Sequence, residues 1–385
     1  MSDSAGEPTL PGVKIGILGC GHVSDQYFEG LALHDFLTIV ACADLDRPRA
    51  EQKAAQHGVP RACTPEELLA DPEVELVVNL TTPQVHAEVS LAAIEAGKHV
   101  WSEKPLATNL EDAREVVDAA TRAGVRLGCA PDTFLGGGIQ TAIKLVDDGW
   151  IGPTIAGGVA MVTEPGYEIW HPDVASFYRE GGGPALDLGP YYVAALVAIL
   201  GPVARVTSVT RATFAERIVG LGPRRGERIP VEVPTHVTGS LEFESGPIVT
   251  TLLSWDVWAT NLPYMEIYGS GGSLSIANPD EFHGRPRLRR VGREELEQPP
   301  PPPGTVDWSP IPLAQPGDVR RGIGIADIAL AVREDRPHRA SGEFAYHVLE
   351  VLLALARHDR DDTAIAIESR CERPAPVREP ISALA

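Results

Sequence analysis

The chain has 385 residues, of which 43% are hydrophobic and 22% charged, and its formal net charge at pH 7 is −20. A chain of this length usually forms two domains, and this balance of apolar and charged residues is typical of a globular protein. No apolar run approaches the roughly 20 residues needed to span a bilayer, and the negative charge makes nucleic acid or an anionic membrane surface an unfavourable partner.

The beginning of the chain is polar, with no basic start and no apolar core of a signal peptide. Residues 1–12 are therefore predicted to be a disordered lead-in and not a signal peptide, and a cytoplasmic location is expected. The five cysteines are scattered without a Cys-x-x-Cys pair, and four lie in or beside apolar segments. Buried, reduced thiols are expected.

Strands alternate with helices through the first third of the chain. Strands are predicted over 13–19, 37–44, 74–81, 99–103 and 125–130. The helices between them end at glycines such as Gly58, Gly97 and Gly124, and two begin at predicted capping boxes, Thr64 with Glu67 and Thr108 with Glu111. This alternation predicts a doubly wound α/β domain over 13–132, with a parallel sheet and helices on both faces.

The pattern changes after Pro131. A helix to about Asp148, a strand over 154–162 and a long apolar helix over about 184–200 are followed by several strands that resemble an antiparallel meander. Two more helices are predicted near 323–333 and 342–357. We expect residues 133–385 to form a second domain of the α+β class that binds the substrate.

A glycine-rich turn follows the first strand. It reads Gly19-Cys20-Gly21-His22-Val23-Ser24, a G-x-G-x-x-S pattern between strand and helix. The first glycine permits a tight turn, and the second lets the backbone approach a pyrophosphate held by amides at the helix N-terminus. Ser24 is small enough to keep helix and strand closely packed. The pattern predicts a dinucleotide site formed by Gly19, Gly21, His22, Val23 and Ser24.

Asp44 ends the second strand, where a carboxylate can accept hydrogen bonds from the adenosine ribose hydroxyls. Because its charge would repel a 2′-phosphate, NAD is favoured over NADP. Arg47 and Arg49 follow closely, and either could bind that phosphate, so NADP stays open.

Two further motifs lie at the carboxyl ends of later strands, the edge at which doubly wound folds bind ligands. The first contains Thr81, Thr82 and His86; the second is Gly-Lys-His-Val-Trp-Ser-Glu-Lys-Pro, which contains Glu103 and Lys104. We expect all five side chains at the cofactor site.

The second motif resembles the G-K-H-V-x-x-E-K-P signature of the Gfo/Idh/MocA family, the relatives of glucose-fructose oxidoreductase and inositol dehydrogenase. The resemblance extends over essentially the whole chain and includes the D-x-G segment that starts at Asp187. It implies a Rossmann domain followed by an α+β domain with an open, mostly antiparallel sheet, which relatives often use to form dimers or tetramers. It also implies that Glu103 and Lys104 lie at the nicotinamide end, with Lys104 contacting the reacting hydroxyl of a sugar, polyol or related compound.

The chain departs from the family pattern at one position. A histidine commonly stands four residues after the aspartate, and here Tyr191 takes its place, as in some relatives. A phenol with a pKa near 10 is a poor base at neutral pH, and a nearby ammonium such as that of Lys104 would lower this pKa. Tyr191 is thus either a catalytic acid/base or a core tyrosine, and Asp187 either binds substrate or is structural.

A loop rich in aromatic residues and glycine precedes the long helix. It contains Trp170 and His171, which are candidates for stacking on a carbohydrate ring and for a second acid/base. Packing between the domains is the alternative role for this loop.

The predicted function is hydride transfer between a secondary alcohol of a sugar, glycoside or cyclitol and NAD, with no metal required. Two alternatives remain open. One is NAD-dependent glycoside cleavage through a transient keto sugar; the other is an NAD-binding sensor without activity, which the missing histidine supports.

Overall fold

The computed structural model describes residues 11–162, 168, 174–292, 307–315, 317–357, 364–379 and 381. The predicted lead-in over 1–12 falls almost entirely outside these ranges. Within them, no helix is long and apolar enough to cross a membrane. The five cysteines are free thiols, and Cys371 is the one that is not fully buried.

The first sheet has six parallel strands in the order β3-β2-β1-β4-β5-β6. The strands are β1 Val13–Leu18, β2 Leu37–Ala43, β3 Ala62–Cys63, β4 Leu76–Asn79, β5 His99–Ser102 and β6 Leu127–Cys129. The central strands are apolar because helices cover both faces of a parallel sheet. This order is that of a Rossmann fold, and it confirms the predicted doubly wound class.

Five helices connect these strands, and most of their predicted ends are confirmed. They are α1 Ser24–Leu31, α2 Arg47–His57, α3 Pro65–Leu69, α4 His86–Glu95 and α5 Leu110–Ala123. The capping box of Thr64 and Glu67 is present with both of its hydrogen bonds.

The second predicted capping box, Thr108 with Glu111, is wrong. Asn109 caps α5 instead, because its side chain accepts a hydrogen bond of 2.9 Å from the backbone amide of Asp112. The helix therefore starts one residue later than the predicted box requires. It ends as predicted at Gly124, whose φ of 67° only glycine adopts easily.

In the part of the chain that the structure describes, the second sheet has nine strands in the order β16-β15-β14-β13-β7-β12-β11-β8-β17, and a separate hairpin pairs β9 with β10. The strands are β7 Thr154–Val162, β8 Val203–Arg211, β9 Glu216–Ile218, β10 Arg228–Pro230, β11 His236–Phe243, β12 Ile248–Ser254, β13 Met265–Gly269, β14 Gly272–Ile276, β15 Arg287–Arg290, β16 Ser309–Pro310 and β17 Ile365–Ala366.

Most of this sheet is antiparallel, as expected, but it is not a simple meander. Strand β7 lies between β12 and β13, parallel to β12 and antiparallel to β13. Residues 255–264 connect β12 to β13, and this connection is too long for a tight hairpin turn, which leaves room for the earlier strand.

In the second half, the helices within the described residues are α6 Gly137–Asp147, α7 Gly183–Asp187, α8 Gly189–Leu200, α9 Ile323–Glu334 and α10 Gly342–Ala356. The long helix predicted over 184–200 is divided at Leu188 into α7 and α8. Pro190 explains the break, since it has no N–H to donate to the carbonyl of residue 186 and its ring crowds that carbonyl. Every residue of α8 is buried.

Helix α9 packs on the first domain, against α1 and β6. Asp132, directly after β6, accepts hydrogen bonds from the backbone amides of Gly322 and Gly324 at 2.8 and 3.1 Å. At the other end of α9, Arg333 pairs with Glu75 at 2.6 Å. The segment that begins α9 is therefore fixed to the edge of the Rossmann sheet.

Candidate active site

The glycine turn after β1 lies against the turn after β4. Gly19 has a φ of 98°, and a Cβ there would come within 2.6 Å of the carbonyl oxygen of Leu80. Strands β1 and β4 lie where the strand order reverses, and ligands of doubly wound folds bind at this point. Glycine at 19 is thus required both by its conformation and by the close approach of the two turns.

The space above the turn is open. A Cβ added at Gly21 would meet no atom within 4 Å. Ser24 is buried and its hydroxyl donates to the carbonyl of Gly21 at 2.7 Å, which fixes the turn on the first residue of α1. Among the residues that the structure describes, nothing accepts a hydrogen bond from the amides of Gly21, His22 and Val23. Free amides at a helix N-terminus with open space beside them fit a pyrophosphate.

Asp44 follows β2 and is held by two backbone amides. Its carboxylate accepts from the amide of Cys20 at 2.8 Å and from that of Asp46 at 2.9 Å. Arg49 pairs with Asp44 at 3.4 Å and with Asp46 at 3.2 Å, and the other nearby arginine, Arg47, pairs with Glu51 at 3.2 Å. Both arginines therefore have carboxylate partners, an arrangement that favours a ribose hydroxyl over a 2′-phosphate beside Asp44.

The turn after β4 contains Thr81, Thr82 and His86. Thr82 is exposed, and the hydroxyl of Thr81 donates to Asn79 at 2.6 Å. His86 is buried; its Nδ1 lies 2.7 Å from the carbonyl oxygen of Pro105 and its Nε2 lies 3.1 Å from that of Thr81. Both ring nitrogens face backbone carbonyls, and its contact with the cofactor stays a prediction. His86 holds the turns after β4 and β5 together.

Lys104 lies between the two domains. Its Nζ donates to the carboxylate of Asp187 at 2.8 Å and to the backbone carbonyl of the same residue at 2.6 Å. Burial disfavours the ammonium, but Asp187, Tyr191 and Glu103 together raise the pKa of Lys104 above its usual value. Lys104 is therefore a charged group at neutral pH and not a base.

Tyr191 lies on α8 above Lys104 and is only 4% exposed. The Lys104 ammonium lies 5.4 Å from the centre of the phenol ring. Burial raises the pKa of Tyr191 to about 12, although Lys104 and Arg321 act in the opposite direction. The expectation that Lys104 brings this pKa below its ordinary value is thus wrong, because burial has the larger effect.

Arg321 is a residue that the sequence did not indicate. Its two terminal nitrogens each donate to the hydroxyl oxygen of Tyr191 at 3.2 Å, and its Nε donates to Gln26 at 2.9 Å. It also lies 3.5 Å from the carboxylate of Glu103 and 3.7 Å from that of Asp280. No motif surrounds Arg321 in the sequence, and the contact with Tyr191 spans 130 residues.

Glu103 is buried beneath this arginine. It accepts from the hydroxyl of Tyr27 at 2.7 Å and from the backbone amide of Lys104 at 2.8 Å. Burial works against the charged carboxylate, but Arg321 and Lys104 outweigh it and hold the pKa of Glu103 below its usual value. Arg321, Glu103, Lys104 and Asp187 thus form a series of alternating charges, in which each buried charge lies beside an opposite one.

Two predicted residues cannot be placed, since Trp170 and His171 lie outside the described residues. Metal-binding groups of three or more His, Cys, Asp or Glu side chains are absent from the described ranges.

Comparison with known proteins agrees with this architecture. The N-terminal domain of the Gfo/Idh/MocA family, described as an oxidoreductase family with an NAD-binding Rossmann fold, matches residues 13–130, and the C-terminal domain of the family matches residues 139–275.

Individual proteins are also similar. The 1,5-anhydro-D-fructose reductase of Ensifer adhaerens is 31% identical over 264 residues, which are 67% of this chain and 74% of that protein. The myo-inositol 2-dehydrogenase of Thermotoga maritima is 29% identical over 141 residues, 36% of this chain and 42% of that protein. The aldose-aldose oxidoreductase of Caulobacter crescentus shares the fold, with a TM-score of 0.73, 21% identity and coverage of 92% of this chain and 99% of that one. This chain is a member of the Gfo/Idh/MocA family of NAD-dependent oxidoreductases.

Proposed function

We propose that this oxidoreductase transfers hydride between NAD and a secondary alcohol of a sugar, glycoside or cyclitol. The observation that carries the proposal is the meeting of Lys104 and Tyr191 at the edge of the dinucleotide-binding sheet, one from each domain. The names of the similar proteins, which act on an anhydro sugar, an inositol and aldoses, support this substrate class.

The residues present fit the cofactor. The open space at Gly21 and the free amides that follow it would hold the pyrophosphate, and Asp44 would accept from the adenosine ribose. When bound, the nicotinamide ring accepts or supplies the hydride. Thr81, Thr82 and Glu103 border the same edge of the sheet and are proposed to position the nicotinamide end.

Lys104 would stabilise negative charge on the reacting oxygen. An ammonium has three N–H donors, and the contacts with Asp187 use two of them. The third can donate to an alkoxide as it forms, which is stabilisation at the position where charge develops. Asp187 would act by fixing the direction of Lys104 and by keeping it charged.

Tyr191 is proposed as the acid/base. In oxidation, the phenolate oxygen would take the proton of the substrate hydroxyl, and the carbon that bears this hydroxyl would give up its hydride. A carbonyl and a neutral phenol result. In reduction, the phenol would return the proton. His171 remains a candidate for a second acid/base, and Trp170 one for a ring-stacking contact.

Two further properties are part of the proposal. Residues 13–132 and 133–385 would be the nucleotide-binding and substrate-binding domains. The open face of the second sheet would join copies of the chain into a dimer or tetramer, since Val209, Ile248 and Tyr268 on its strands are large apolar side chains exposed to solvent.

The test is reduction of NAD at 340 nm by the purified protein with myo-inositol, anhydrosugars, monosaccharides and aryl glycosides. We expect turnover with one group of these substrates and its loss in Lys104→Ala, with NAD binding retained. Lys144→Ala is the matched control, because Lys144 is an exposed lysine paired with Asp148. Unchanged turnover in Lys104→Ala would refute its role. Glycoside cleavage without accumulation of NADH, or NAD binding without any turnover, would contradict the proposal as a whole.

A further inference from the structure

Arg321 connects three parts of the site that are distant in sequence. Its guanidinium bonds to Gln26 of α1, lies beside Glu103 after β5, and donates twice to Tyr191 of α8. Its side chain is only 14% exposed. A buried guanidinium with this many partners has its direction fixed by its surroundings.

The backbone of Arg321 is fixed as well. The next residue, Gly322, donates its amide to the buried Asp132 at 2.8 Å, and Gly30 of α1 packs directly against the carbonyl of Arg321. A side chain at position 30 would collide with that carbonyl. The arginine is therefore held against the edge of the Rossmann domain, although it lies in the second domain by sequence, and it reaches towards Tyr191.

The direction of the hydrogen bonds is determined by chemistry. A guanidinium can donate but cannot accept, so the oxygen of Tyr191 is the acceptor of both bonds and its own hydrogen points elsewhere. No acceptor for that hydrogen is found in the ranges that the structure describes. Two donors aimed at one oxygen stabilise the phenolate more than the phenol, because charge-assisted hydrogen bonds are the stronger ones.

We propose that Arg321 is a positioning residue for Tyr191: it holds the phenol oxygen with two hydrogen bonds, leaves the hydroxyl hydrogen free for substrate, and stabilises the phenolate that accepts the substrate proton. Arg321 thus compensates for the missing histidine. This inference rests on the proposed function, in which Tyr191 is the acid/base.

The experiment measures oxidation rates with saturating NAD between pH 6 and 10.5, using the substrate that gives turnover in the panel above. In Arg321→Gln we expect the rate profile to move to higher pH by about one to two units, since hydrogen bonds to charged groups have this strength. Because the pKa of Tyr191 lies above the assayed range, this shift is measured as a rate about 10–100-fold lower at each pH. Arg321→Lys keeps the charge and should recover part of the shift. Arg320→Gln is the matched control, because Arg320 is an exposed neighbour paired with Asp318, and its profile should not move.

A double variant separates this inference from a general structural effect. If Arg321 acts through Tyr191, then Arg321→Gln combined with Tyr191→Phe should be no slower than Tyr191→Phe alone. The dissociation constant for NAD, measured by quenching of protein fluorescence, should stay within about threefold of the wild-type value in each variant. If Arg321→Gln does not fold, the same comparisons are made with Arg321→Lys.

An unshifted pH profile in a folded Arg321 variant would overturn the inference, and so would a double variant whose losses multiply. Full activity in Tyr191→Phe would instead refute the acid/base assignment of the proposed function, whatever the Arg321 variants show.

Discussion

Replacing Tyr191 by phenylalanine removes one oxygen from a buried site and should slow the reaction strongly. Loss of a positioned acid/base costs about 10²–10⁴-fold in rate. The pKa of Tyr191 is raised to about 12, so only about one molecule in 10⁵ carries the phenolate at pH 7. The wild-type oxidation rate should therefore rise about tenfold per pH unit across the neutral range, and Tyr191→Phe should lose this dependence.

The same substitution has a measurable effect on stability. The guanidinium of Arg321 loses the acceptor of two hydrogen bonds of 3.2 Å but keeps Glu103 and Gln26. We expect the free energy of unfolding to fall by about 1.5–3 kcal/mol, a value typical of lost hydrogen bonds to charged groups. Urea denaturation monitored by circular dichroism measures this change.

Stopped-flow measurement of NADH formation at several pH values is the decisive assay. Tyr191→His is the informative companion, since an imidazole has an ordinary pKa near 6.5; it should regain part of the rate with a profile shifted to lower pH. A folded Tyr191→Phe protein whose rate stays within threefold of wild type, with the same pH dependence, would refute the reasoning.

Three other predictions concern the cofactor site and the attachment of α9. Asp44→Ser should weaken NAD binding by about 10–100-fold and reduce the preference for NAD over NADP. Asp46→Ser is its control and should change NAD binding little. Fluorescence titration with both nucleotides measures these affinities. Asp132→Ala should lower the free energy of unfolding by about 2–4 kcal/mol, because two buried amides lose their acceptor, and equal stability of Asp132→Asn and Asp132→Ala would contradict this. Gly324→Ala should lower the free energy of unfolding by about 1–3 kcal/mol, because its Cβ would overlap the ring of Trp101. Urea denaturation measures this change, and Gly317→Ala is the control because open space surrounds Gly317.

Local patterns were sufficient to predict most of the first domain. The strands, the glycine turn and the capping box at Thr64 each depend on residues close in sequence. The capping box predicted at Thr108 was wrong, because the neighbouring Asn109 caps the helix. The position of β7 was likewise not predictable, because it depends on pairing with two strands that lie roughly 90 to 110 residues later in the chain.

The candidate site likewise contains residues that local patterns indicated and one residue that they did not. Lys104, Asp187 and Tyr191 lie in motifs with fixed spacing, and the structure brings them together. Arg321 approaches them through the tertiary fold alone, so no spacing could indicate it. The pKa of Tyr191 could not be judged from its neighbours in sequence either, because burial in the folded protein determines its direction.

The attachment of α9 to the Rossmann sheet has a consequence for protein engineering. A nucleotide-binding module cut after residue 132 would expose the surfaces of α1 and Trp101 that the segment around Gly324 covers, and would leave Asp132 without its two amides. Chimaeras that exchange cofactor modules between relatives should therefore transplant the segment around 320–334 together with the first domain. In a chimaera built this way, the arginine that faces Tyr191 would come from the donor of the cofactor module.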